Sequence, residues 1–239
     1  MTFLEPFVPS PGLVAWLLPA AVAYAAAAAA FAAYLRARRG VRTPYTRKIF
    51  HFTIFTAAGL LQIFFGLPAV VIFGSVTSLF VLYAMWRGDG FPFYEAMARP
   101  SDAPRRTLFI LIPLVTTALG GVTANLFFPA WAFVGYLVCG WGDAVGEPIG
   151  TKWGRHRYRV PSMLGVPATR SVEGSAAVFA AGTLATAAAL ALLGHPPVTI
   201  ALIACGAGCA GAVVEAVSTH GLDNFTVQVA ASAAAALLA

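Results

Sequence analysis

The chain has 239 residues, of which 59% are apolar and only 10% charged, with a formal net charge of +6 and a mean hydropathy of +0.80. A water-soluble domain of this length carries about 25% charged residues, so the composition excludes an ordinary soluble fold and places the chain in a bilayer. The length suits one transmembrane domain over residues 1–239, with no separate soluble domain expected.

The N-terminal stretch MTFLEPFVPSPGLVAWLLPA has Glu5 and no Lys or Arg ahead of its apolar run. A secretory signal peptide needs a basic n-region, so no cleaved leader is expected. Apolar segments long enough to span then read at 11–35, 49–66, 68–86, 107–124, 126–145, 171–193, 197–217 and 223–239. The alanine run at 20–33 favours helix strongly. Pro68, Pro129 and Pro197 lie near segment starts, where a missing N–H costs least, and Pro113 lies inside one. The expected fold is an all-α polytopic bundle of about eight transmembrane helices.

The basic residues fall into three connections on this map. Arg36, Arg38, Arg39, Arg42, Arg47 and Lys48 lie around the first, and Arg87, Arg99, Arg105 and Arg106 around the third. Lys152, Arg155, Arg157, Arg159 and Arg170 lie around the fifth, which accounts for all 15 basic residues. By the positive-inside rule this face is cytoplasmic and both termini point outward. Every acid except Glu5 falls on the same face. Basic residues that alternate with spans point to headgroups or phosphates, and no nucleic acid partner is expected.

Three cysteines, Cys139, Cys205 and Cys209, all sit in apolar runs and read as packing residues.

The polar chemistry is concentrated in a few stretches. In GWGDAVGEPIG, Asp143 and Glu147 are four residues apart and share a face if the helix continues through Gly146. Two carboxylates in a low-dielectric setting call for a cation between them. Mg²⁺ fits, since it takes one or two carboxylates and leaves room for phosphate oxygens. Pairing with Lys152 or Arg155 is the plainer reading. Gly140, Gly142, Gly146, Gly150 and Gly154 indicate close backbone approach, to a neighbouring helix or to a ligand. In TRSVEGS, Ser171 reads as a helix cap with Glu173 in the first turn, and Arg170 stands beside N–H groups able to hold a phosphate. EAVSTHGLDNFTV brings Glu215, His220, Asp223 and Asn224 to the last connection, with Glu215 inside the membrane end of its span, where a carboxylate is costly. His51 follows Lys48 by about one turn in RKIFH.

In this order, RKIFH, GWGDAVGEPIG, TRSVEGS and EAVSTHGLDNFTV, over about residues 45–230, resemble the polyprenol kinases, a family that includes dolichol kinase and phytol kinase and is related to phosphatidate cytidylyltransferase. The resemblance implies an integral membrane kinase that moves the γ-phosphate of CTP to a long-chain isoprenoid alcohol. It implies that Asp143 and Glu147 belong to the metal–nucleotide site, and that Arg170, Ser171, Glu173 and Gly174 form a KSxEG-type element. Glu215, Asp223 and Asn224 correspond to the terminal acidic motif, and Lys48 and His51 to the early basic one. The chain departs from the pattern at Arg170, where Lys is expected, and at Gln228, where Pro is expected.

The combined expectation is a Mg²⁺-dependent, CTP-dependent prenol kinase. Asp143, Glu147 and Glu215 are the candidate metal ligands, and Asp223, Asp143 and Glu173 the candidate catalytic residues. Lys48, His51, Lys152, Arg155, Arg170, Ser171, Gly174 and Asn224 are the candidate nucleotide and phosphate contacts. Asp223 is the first choice to accept the hydroxyl proton. The alanine-rich composition points to a bacterial inner membrane with the site facing the cytoplasm, and to shorter prenols such as phytol or geranylgeraniol. The rivals are a cytidylyltransferase that makes a CDP-lipid and, in a different class, a small-molecule transporter. Oligomerisation is left open by the many small-residue faces.

Overall fold

A computed structural model of the protein describes residues 5–163, 166–219 and 221–239, with the backbone alone over 162–163 and 166–168. His220 lies outside the described residues, as does the start of the N-terminal stretch. The chain is a polytopic α-helical membrane protein. Six helices are long and apolar enough to cross a bilayer: Pro11–Arg39, Thr43–Phe65, Leu67–Arg87, Leu108–Phe127, Val172–Leu192 and Pro197–Val217. They are α1, α2, α3, α5, α7 and α8. Two further helices fall where the sequence places spans, α6 (Ala132–Trp153), which carries Asp143 and Glu147, and α9 (Asp223–Leu238), which has 16 residues.

The chain divides into two compact units, residues 1–114 and 115–239, with α5 running from the first into the second. In the first unit α1 begins at Ser10, whose hydroxyl accepts from the Leu13 N–H at 3.2 Å. It ends at Gly40, where φ is 64° and the left-handed conformation favours glycine. The sequence reading missed the short helix α4 (Pro92–Met97), which is too brief to show a period. Its Phe93, Tyr94 and Met97 are buried among Ala28, Ala32, Phe50 and Ala84. Polar bonds tie it down: Thr43 Oγ1 donates to the Glu95 carbonyl at 3.0 Å and Thr46 Oγ1 to the Ala96 carbonyl at 2.7 Å. Arg106 lies 2.6 Å from both Glu95 and Asp89.

In the second unit α6 packs against α7, α8 and α9. Residues 132–140 of α6 are all buried, which makes it the central helix. Its glycines serve helix packing. A Cβ on Gly142 would lie 2.9 Å from Val178 of α7, and one on Gly150 would lie 2.9 Å from Ser171 Oγ. On α8 the close approach comes from Gly208, whose Cβ would lie 3.0 Å from the Phe179 carbonyl, while Cys205 and Cys209 are exposed. The packing role expected for that cysteine pair therefore belongs to the two glycines between them, Gly206 and Gly208.

The connection between α6 and α7 holds the one sheet among the described residues, an antiparallel pair of β1 (Arg157–Met163) and β2 (Val166–Ser171). Tyr158 is opposite Arg170, and Arg159 opposite Thr169. Alternation along the strands thus puts Arg157 and Arg159 on one face and Tyr158 with Arg170 on the other. The Tyr158 hydroxyl meets Ser175 Oγ of α7 at 2.7 Å.

Candidate active site

Four polar side chains of the second unit converge on one cleft. Asp143 comes from α6, Glu215 from the last turn of α8, and Asp223 and Asn224 from the first turn of α9. Val138, Cys139, Val178 and Val227 form its apolar walls. Helix α6 continues unbroken through Gly146, so Asp143 and Glu147 do share a helix face one turn apart. Glu147 is not among the residues that line the cleft.

Arg170, at the end of β2, ties this cluster together. Its Nη1 is paired with Glu215, and its Nη2 donates to Asp223 Oδ2 at 3.0 Å and to the Ser218 carbonyl at 3.4 Å. All three side chains are largely buried, with 16%, 11% and 12% of their surface exposed for Arg170, Glu215 and Asp223. Charges removed from water in this way persist only when paired and hydrogen-bonded. Asp223 Oδ1 accepts two more bonds, from the N–H groups of Gly221 at 3.1 Å and Asn224 at 3.0 Å. The planar guanidinium suits this two-point grip, which a lysine ammonium would not reproduce.

The TRSVEGS stretch divides its labour. Ser171 is the N-cap of α7, with its hydroxyl accepting from the Gly174 N–H at 3.1 Å. Gly174 packs against α6, where a Cβ on it would lie 3.1 Å from the Gly146 carbonyl and 3.2 Å from Gly150 Cα. Glu173 is turned to the hairpin, accepting from His156 Nδ1 at 2.8 Å and from the His156 backbone N–H at 3.3 Å. It therefore anchors the hairpin to α7 and does not line the cleft. Lys152 and Arg155 are exposed around the C-terminal end of α6, with Lys152 Nζ 4.5 Å from the ring centroid of Trp153. Lys48 and His51 belong to α2 of the first unit; Lys48 is buried, and the His51 ring stacks on Phe55 at 4.1 Å.

Sequence reasoning missed Thr117 on α5, whose Oγ1 accepts from Asn224 Nδ2 at 2.9 Å, and Cys139, whose Sγ lies 3.9 Å from Asn224 Oδ1. The available signal was the hydroxyl pair of VTTALGG inside an apolar run, since polar groups within a span bond to a neighbouring helix.

Among the described residues the donor set is not a closed metal cage, since no three His, Cys, Asp or Glu side chains cluster as a ready-made metal site. Mg²⁺ needs no such cage, since one or two carboxylates with water and phosphate oxygens complete its shell. Asp143, with Glu147 one turn on, supplies that number. Arg170 adds a cation, held in this structure by Glu215 and Asp223.

The fold and this cleft define the class of the molecule, a polytopic membrane protein with a buried carboxylate–arginine cluster. The chain is 30% identical over 188 residues to the phytol kinase of Synechocystis sp., an alignment that covers 76% of this chain and 74% of that protein. It belongs to the polyprenol and phytol kinase family and is a membrane lipid kinase. No family model matches the chain, and no solved structure matches it.

Proposed function

We propose that the protein transfers the γ-phosphate of CTP to the hydroxyl of an isoprenoid alcohol of the phytol or geranylgeraniol class, with Mg²⁺ as cofactor. The observation that carries the reading is the convergence of Asp143, Glu215 and Asp223 on one cleft between apolar walls, with Arg170 paired to the last two. Phosphoryl transfer depends on positioning and charge neutralisation more than on covalent help from the protein. Asp143 and Glu147, with Glu215 as a third donor, are the residues assigned to the metal. When bound, Mg²⁺ supplies neutralisation of charge on the phosphate oxygens.

Arg170 is assigned to the transferred phosphate. An incoming triphosphate offers it oxygens in place of Glu215 and Asp223, so the pairs seen here keep the guanidinium oriented until substrate arrives. Lys152 and Arg155 are assigned to the outer phosphates, where exposed cations raise the local concentration of a polyanion. Asp223 is assigned to accept the proton of the alcohol as its oxygen attacks phosphorus, and the backbone N–H groups of Gly221 and Asn224 hold that carboxylate still. The valine walls exclude water that would otherwise compete as the nucleophile. The orientation we assign puts the cleft at the cytoplasmic face of a bacterial inner membrane, with both termini outside.

Membranes containing the protein, supplied with an isoprenoid alcohol, test this with two labelled donors. Label from γ-labelled CTP is expected in an alcohol monophosphate, and label from α-labelled CTP is expected to remain in CDP. Transfer of the α-label into lipid with release of pyrophosphate would instead make the protein a cytidylyltransferase.

A further inference from the structure

The hairpin between α6 and α7 leaves one face exposed and turns the other to the helix ends. Arg157, Arg159 and Thr169 are exposed on the first. Tyr158 and its cross-strand partner Arg170 share the second, where side chains directly opposite one another are close neighbours. From there the two diverge. The Tyr158 hydroxyl meets Ser175 Oγ of α7 at 2.7 Å, while Arg170 crosses to Glu215 of α8 and Asp223 of α9.

The base of the hairpin is fastened separately. The Val172 N–H donates to the His156 carbonyl at 3.0 Å, and Glu173 holds the His156 ring at 2.8 Å. Tyr158 is the tie at the level of Arg170 itself. A tyrosine suits that place, because its rigid ring loses little freedom and sets its hydroxyl at a fixed reach. In the kinase reading Arg170 exchanges Glu215 and Asp223 for phosphate oxygens. During that exchange its ion pairs no longer fix it, so the attachment of its strand must. We infer that Tyr158, bonded to Ser175, is a positioning residue that keeps the Arg170 backbone in place while the guanidinium changes partners. Tyr158 acts through Arg170 and touches neither substrate. This rests on the kinase reading above and adds to it the group that carries Arg170.

The test follows wild type, Tyr158→Phe, Ser175→Ala and the double variant in membranes, each with and without Arg170→Lys. CTP and geranylgeraniol are varied separately, and the thermal midpoint of each purified protein is recorded. Phenylalanine keeps the ring and removes the oxygen. Loss of one neutral hydrogen bond that orients a binding group is read as about a fivefold rise in KM for CTP. That rise is expected in Y158F and in S175A, with no further rise when the two are combined, because both remove the same bond. KM for geranylgeraniol is expected to stay within about twofold of wild type. In the R170K background Y158F is expected to change KM for CTP by less than about twofold, since the group it positions is gone. Ser175→Thr keeps the hydroxyl and is expected to match wild type.

Three results would overturn the inference. One is Y158F with wild-type KM for CTP, and another is Y158F with its defect in KM for geranylgeraniol. The third is an undiminished rise from Y158F in the R170K background, which marks a tie that steadies the fold without acting through Arg170. Should Y158F not accumulate in membranes, S175A against S175T gives the same comparison. If wild type itself phosphorylates no alcohol, the kinase reading falls and the inference with it; if wild type does and Y158F equals it, only the inference about Tyr158 falls.

Discussion

Arg170 reaches Asp223 across 53 residues of sequence, with its Nη2 3.0 Å from Asp223 Oδ2, while its Nη1 is paired with Glu215. One guanidinium at the end of a strand therefore joins the last turn of α8 to the first turn of α9. In an apolar bundle this is a costly arrangement. The attraction between the charges offsets their desolvation only while all three remain together.

Removing the cation should therefore do more harm than removing the group as a whole. Arg170→Gln leaves two buried carboxylates without their partner and is expected to cost about 3–5 kcal/mol. The triple variant R170Q/E215Q/D223N is expected to recover part of that loss without recovering activity. Arg170→Lys restores charge but not the two-point geometry, and should fall between wild type and R170Q in both respects. Thermal unfolding of the purified variants, alongside phosphate transfer, checks each expectation.

Close packing of α6 on α7 should be intolerant of a single methyl group. A Cβ on Gly150 would lie 2.9 Å from Ser171 Oγ and 3.4 Å from Gly174 Cα, which crowds the cap of α7. Gly150→Ala is expected to destabilise by about 1–2 kcal/mol, through overpacking and a weakened cap. Because both changes act on the same cap, G150A and S171A should be less than additive when combined, which a double-mutant cycle in thermal or denaturant unfolding measures.

In the first unit, the hydrogen bond from Arg106 holds the Glu95 carboxyl below its ordinary value of 4.5, with the Gly90 N–H assisting. A carboxyl whose pKa is depressed by folding adds stability above its unfolded value, and that contribution is lost as pH falls through the lower folded value. Wild-type stability is therefore expected to decline below about pH 4.5. Glu95→Gln should be less stable at neutral pH and show a shallower decline on acidification. Thermal midpoints collected from pH 7 down to pH 3 read both effects.

The parts of this architecture that were legible in the sequence are those carried by local pattern. The alanine run gave α1, and the i,i+4 spacing of Asp143 and Glu147 gave their shared face once α6 proved continuous. Ser171 was readable as a cap because a serine before an apolar helix has few other uses. The hairpin is hard to read from sequence, because the strand-like alternation of Arg157, Tyr158, Arg159 and Val160 is short, highly charged and followed at once by Pro161. Thr117 was beyond reach for a different reason. Its partner Asn224 is 107 residues away, and two threonines in a span carry no mark of which helix they will meet. Glu173 illustrates the converse, since its place in a motif says nothing of the hairpin histidine that it holds.

Conversion of Asp143 to asparagine tests the central claim most directly, because it keeps the size of the side chain and removes the charge assigned to the metal. The measurement is transfer of γ-labelled phosphate from CTP to phytol or geranylgeraniol in membranes containing equal amounts of wild type and D143N, with the thermal midpoint of each. We expect D143N to insert and to melt within a few degrees of wild type while transfer falls by on the order of a hundredfold or more. Wild-type turnover by D143N at the same magnesium concentration would contradict the account.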